Sequence, residues 1–150
     1  MISYRLRMKI HYKVTLISKL DANLKTFKRK AKLKILLTWL FAIIMIVAGF
    51  LHFTKPTAYA AFIPDWLPLY FINYLVGIIE TGIGICLLIT NLRGYAAICL
   101  VLLMIFFLPF HAIDAFKTHP AIGSPIIAWI RLPLQFLLIY WAWFIRPYTK

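Results

Sequence analysis

Four stretches of this chain are apolar over the length a helix needs to cross a bilayer. About 20 mostly apolar residues suffice, and residues 35–53, 72–90, 95–112 and 126–145 each supply such a run. The second is interrupted by Glu80, and the fourth carries Arg131 and Gln135. With 63% hydrophobic and only 14% charged residues, the chain cannot clothe a soluble enzyme in a polar shell. It is also too apolar to stay disordered. The expected fold is all-α: a bundle of four transmembrane helices (residues 35–145) between a basic tail (1–34) and a short C-terminal tail (146–150).

The connections are unequal. Residues 91–94 (Asn91-Leu92-Arg93-Gly94) form a tight turn, 113–125 a medium link and 54–71 a long one. Pro56, Pro64 and Pro68 keep the long link from forming one helix. Tyr59, Phe62, Trp66 and Tyr70 give it the character of an interfacial aromatic belt. A short interfacial helix is expected from about Pro56 to Phe62, capping the bundle between the first and second spans. Ala58-Tyr59-Ala60 reads as a signal-peptidase site, but the 34 residues ahead of the first span and its length argue against cleavage.

Charge placement gives orientation. Residues 1–34 hold 11 of the 17 Lys and Arg residues, with Asp21 as their one acid. An even number of spans puts both termini on one face, together with Arg93, Arg146 and Lys150. The other face has Lys55 and Lys117. The positive-inside rule makes the first face cytoplasmic. No base-reading motif accompanies the basic block, so nucleic acid is not its partner. Anionic lipid is the partner expected.

Within the tail, residues 2–16 alternate apolar and polar side chains with the period of a strand. The chain offers no partner strand, which favours a loose tail, or translated sequence upstream of the real start, over pairing with another subunit or lying on anionic lipid. From Asp21, a plausible N-cap, the spacing of Leu24, Phe27, Ala31 and Ile35 turns helical. The 21–34 segment is expected as an amphipathic helix presenting Lys28, Arg29, Lys30, Lys32 and Lys34 to the lipid surface, or simply as a topology signal.

Ionisable groups inside a bilayer are costly, so each marks a candidate site. Counting at about 1.5 Å per residue puts Glu80 and Gln135 some 12–13 Å below the outer face, and Arg131 about 7 Å below it. Arg131 and Gln135, four apart, share a helix face. The expectation is that Gln135 donates to Glu80 and that Arg131 reaches it, as a ligand site or as a clamp between helices. His52 and His111 end the first and third spans near the outer face. Asp114, three residues on from His111, could pair with it as a proton relay. Asp65, Lys117 and His119 lie in the outer connections. The ligand-binding set is therefore His52, Glu80, His111, Arg131 and Gln135, with simple hydration of the two histidines as the plainer alternative. No spacing enforces a metal site, and no flavin or nicotinamide motif is present. Cys86 and Cys99 lie in apolar runs and read as packing residues. Pro109 and Pro133 free the carbonyls of Ile105 and Trp129 within the third and fourth spans.

Several fragments in order resemble the DoxX-like family of small four-helix membrane proteins. They are Ala48-Gly49-Phe50-Leu51-His52-Phe53, Pro56, Ile63-Pro64, Leu67-Pro68, Gly77 with Glu80, Gly82-x-Gly84, Pro109, and Trp129-Ile130-Arg131-Leu132-Pro133-Leu134-Gln135. The likeness runs from about residue 39 to 145. Where much of that family has Pro-Ala-Asn, this chain has Pro109-Phe110-His111, so an imidazole stands in place of an amide. The resemblance implies a four-helix bundle in a bacterial cytoplasmic (inner) membrane. It also implies a membrane subunit or partner of a quinone, thiol or sulfur redox system, or alternatively a non-enzymatic assembly factor or chaperone. A quinone is the ligand, and a membrane or peripheral redox protein the partner, that it suggests.

Overall fold

The computed structural model describes residues 2–64, 66–118, 120–121 and 123–146, with side chains from His11 onward, Val14 excepted. Four long helices and one short one follow in order: α1 (Ile2–Thr54), a 3-10 helix (Pro56–Phe62), α2 (Leu69–Leu88), α3 (Arg93–Ala115) and α4 (Pro125–Ile145). No strand occurs among the described residues. All four long helices are long and apolar enough to cross a membrane. The spans read from sequence fall within or close to these helices, and the short helix has the limits expected of it.

The chain divides into two compact units, Met1–Leu36 and Leu37–Lys150. In the first, the backbone is helical from Ile2 onward. This corrects the strand period of 2–16: those residues are helix. It also removes the break at Asp21, which lies inside α1 rather than at an N-cap. A lone strand leaves its backbone donors and acceptors unpaired, whereas an existing helix gains one hydrogen bond per residue added. Lys28, Arg29, Lys30 and Lys32 are exposed and Lys34 is half-buried. Leu24 and Phe27 are exposed as well.

In the second unit, proline sets the helix starts. Pro56 and Pro125 occupy first-turn positions and Pro68 precedes α2, where a missing N–H costs nothing. Gly123 takes φ +76° just before α4, a left-handed conformation that suits glycine. At the α2–α3 turn, Arg93 Nε donates to the Leu87 carbonyl at 3.0 Å, satisfying an end carbonyl of α2.

The buried core is small. It joins Phe41, Ala42 and Met45 of α1, Leu87 of α2, Ala96, Ala97, Leu100 and Met104 of α3, and Ala142 and Ile145 of α4. Most of it lies toward the end of the bundle that holds the α2–α3 turn. Cys86 packs at its edge and Cys99 is exposed; both are free thiols. The outer faces of the helices are themselves apolar, as lipid contact requires.

α1 and α2 meet backbone to backbone. A Cβ on Gly77 would lie 2.8 Å from the Gly49 carbonyl oxygen, and one on Gly84 2.9 Å from that of Ala42. Small residues allow such an approach in membranes, where close packing replaces the hydrophobic drive. Here it brings the end of α1 against the polar face of α2.

Candidate ligand cavity and its polar end

The buried positions of α2 are Asn73, Gly77, Glu80, Gly84 and Leu87. Their alternating spacing of four and three traces one helix face. Opposite them stands His52. Its Nδ1 lies 2.9 Å from Asn73 Oδ1, and its Nε2 lies 3.6 Å from Glu80 Oε2. The Asn73 amide is oriented independently, because its Nδ2 donates to the carbonyls of Leu69 at 2.9 Å and Pro56 at 3.2 Å. Oδ1 must therefore be the atom facing His52. An amide oxygen only accepts, so Nδ1 carries the proton and Nε2 is the nitrogen turned to Glu80. Tyr59 of the short helix stacks on the imidazole, with ring centroids 3.9 Å apart. Burial, and after it the Glu80 carboxylate, push the Tyr59 phenol above its ordinary range, so it stays uncharged at neutral pH.

A second cluster joins α3, α4 and the loop between them. Arg131 Nη2 pairs with Asp114 Oδ2, and Asp114 is 1% exposed. Asp114 Oδ1 accepts the Ala121 N–H at 2.7 Å, which ties down the α3–α4 loop. The Arg131 guanidinium lies over the Phe62 ring, 5.4 Å from its centroid, in cation–π geometry. His111 meets the same ring edge-on at 5.9 Å. Lys117 Nζ donates to the Ala61 carbonyl at 3.1 Å, tethering the short helix to the end of α3.

Both clusters border one cavity of about 660 Å³. Its walls are apolar, chiefly Ile72, Leu75, Val76 and Ile79 of α2 facing Leu103, Phe106, Phe107 and Phe110 of α3. His52, Tyr59, Asn73, Glu80, His111 and Arg131 border it as well. Leu75, Ile79 and Phe106 are 43%, 41% and 60% exposed, so the gap between α2 and α3 opens on the face that lipid would cover. Three buried polar atoms of cavity-lining residues have no hydrogen-bond partner: Glu80 Oε2, His111 Nδ1 and Arg131 Nε. Buried polar atoms are normally satisfied, and three orphans around one cavity mark a place for polar atoms from elsewhere.

A family model described as "Domain of unknown function (DUF8561)" matches residues 41–146. The chain belongs to the DUF8561 family. No curated protein and no solved structure matches it. The DUF8561 span contains all of the cavity's lining residues, whereas the basic segment ahead of residue 35 lies outside it.

Within this DUF8561 domain, four of the five residues expected to bind ligand border the same cavity: His52, Glu80, His111 and Arg131. Their pairing differs from expectation. Glu80 faces His52 instead of Gln135 and Arg131, and Arg131 is held by Asp114. Gln135 is absent from the lining; its Nε2 donates to the Met104 carbonyl at 2.6 Å, beside the Ile105 carbonyl that Pro109 frees. It clamps α3 to α4. Asp114 gives its oxygens to Arg131 and Ala121, not to His111. Asp65, His119 and Lys150 lie outside the described residues. Asn73 and Tyr59 were not foreseen as site residues. Asn73 could have been found from its place seven residues before Glu80, two turns away on one face. Tyr59 and Phe62, expected in the interfacial belt, border the cavity; Trp66 and Tyr70 are 79% and 56% exposed.

Proposed function

We propose that this protein sits in a bacterial cytoplasmic membrane with both termini inside, and that its cavity receives a lipid-soluble ligand near the outer leaflet. The observation that supports this most is the combination in one space of apolar walls, a gap toward lipid and unsatisfied polar atoms. Ligand pockets characteristically join apolar walls to a few convergent polar groups. The His52–Glu80 pair adds proton chemistry: Nε2 and Oε2 can pass a proton between them or to a ligand oxygen. Arg131 and His111 can hold a carbonyl.

A quinone fits that description, and the likeness to DoxX-like proteins points toward a quinone, thiol or sulfur redox system. The chain has no motif for a flavin or nicotinamide, so electrons would come from a partner protein. It would then be a membrane subunit or partner rather than a self-sufficient enzyme. The basic face of α1 suits anionic lipid at the inner surface. The test is titration of the purified protein with a short-chain quinone, followed by tryptophan fluorescence; Trp66 adjoins the wall residue Leu67. A saturable change that Arg131→Ala weakens is expected. No saturable change, or an identical one in Arg131→Ala, contradicts the reading.

A non-enzymatic assembly factor is the second reading, favoured by the exposed Trp66 and Tyr70 on the cap and the exposed bases of α1. Cross-linking in native membranes separates the two. One stoichiometric protein partner that survives Arg131→Ala favours assembly.

A further inference from the structure

We infer that the cavity selects an uncharged amphiphile with a carbonyl or hydroxyl head, and that Asp114 sets this selectivity by neutralising Arg131 from behind. The inference rests on reading the cavity as a ligand site and narrows what that site accepts.

Among the described residues that line the cavity, Arg131 is the only Lys or Arg. Its charge is already answered by Asp114, which is buried and does not itself line the space. The other titratable neighbours add no free positive charge. Glu80 faces His52 Nε2. Tyr59 stays uncharged. His111 lies edge-on against Phe62. An anionic head brought here would leave water for an apolar enclosure whose cation is already paired with Asp114, and it would face the Glu80 carboxyl. That is the costly case for a buried charge. A neutral carbonyl or hydroxyl oxygen loses far less on leaving water. It gains the Arg131 Nε–H and the His111 ring, both lacking a partner at those atoms. The apolar walls take the chain of the amphiphile.

Asp114 is thus a specificity-determining residue that touches no ligand. Removing its charge while keeping its shape should leave Arg131 as an uncompensated cation and invite an anion. In Asp114→Asn the amide oxygen can still accept the Ala121 N–H, so the loop anchor is retained.

The experiment uses the full chain in detergent and native mass spectrometry with three probes of equal chain length: 2-dodecanone, dodecanol and dodecanoate. The ketone and the alcohol are expected to give saturable one-to-one adducts, with dodecanoate weaker by about tenfold or more. In Asp114→Asn the order is expected to reverse. The double variant Asp114→Asn/Arg131→Gln, which removes both charges and guards against misfolding of the single one, is expected to bind more weakly, having lost the Arg131 donor, but with the ketone and alcohol still ahead of dodecanoate. Equal binding of all three heads, or a carboxylate preference in the unaltered protein, overturns the selectivity while leaving a ligand site in place. An unchanged order in folded Asp114→Asn overturns the role of Asp114. No adduct with any probe overturns the ligand site and this inference together.

Discussion

Asn73 shows how one amide can decide what a histidine offers. Its two donor bonds to backbone carbonyls fix Oδ1 toward His52, and the imidazole must present Nε2 to Glu80. In ¹⁵N-histidine NMR spectra of the purified protein, His52 is expected to carry its proton on Nδ1. Asn73→Leu should abolish that preference and Glu80→Gln should preserve it; a bare Nδ1 in the unaltered protein would contradict the assignment. Gln135 makes the opposite point. Polar and at the right depth, it serves only the contact between α3 and α4. Gln135→Leu is expected to lower stability by about 1 kcal/mol, as interhelical hydrogen bonds in membranes do, with ligand binding unchanged. Thermal melting beside the quinone titration checks both halves. The sequence exposed these residues because polar groups in apolar runs stand out. It could not pair them, because depth along a helix follows from counting whereas the direction a side chain faces depends on how neighbouring helices are turned. Glu80 and Gln135 were matched by depth and belong to different contacts.

At the scale of elements, the site depends on how closely α1 and α2 approach. Gly77 is pressed by the Gly49 carbonyl, Phe53 and His52, whereas a Cβ on Gly82 would meet nothing within 4 Å. Gly77→Val is therefore expected to force the helices apart and cost about 1–3 kcal/mol, the range for overpacking, and to disturb the His52–Glu80 pair. Gly82→Ala should be neutral. Thermal melting of the two variants decides; equal stability would contradict the close approach. The span positions and the short helix at Pro56–Phe62 were legible because apolar length and proline are local signals. The N-terminal residues were misread for an equally physical reason. Strict alternation from Ile2 to Leu16 satisfies the strand period, but a strand needs a partner, none occurs among the described residues, and the backbone is helical instead.

For the molecule as a whole, the proposed topology puts both termini inside and Lys55 and Lys117 outside. With Cys86 and Cys99 replaced by alanine, Thr118→Cys should react with a membrane-impermeant thiol reagent in intact cells. Lys25→Cys should react only after permeabilisation, and the reverse pattern would invert the topology. The fold class was legible from the four apolar runs, and so were four polar residues at the cavity; its apolar walls were not, since the space arises where α1, the short helix, α2, α3 and α4 meet. It is tested most directly by photolabelling the membrane-embedded protein with a diazirine-bearing neutral amphiphile and mapping the adducts. Adducts should concentrate on Ile79, Phe106 and Phe110 and fall away when unlabelled ketone competes. Adducts spread equally over lipid-facing residues of α4 such as Phe136 and Trp143, and indifferent to competitor, would mean that the space between α2 and α3 is not a binding site.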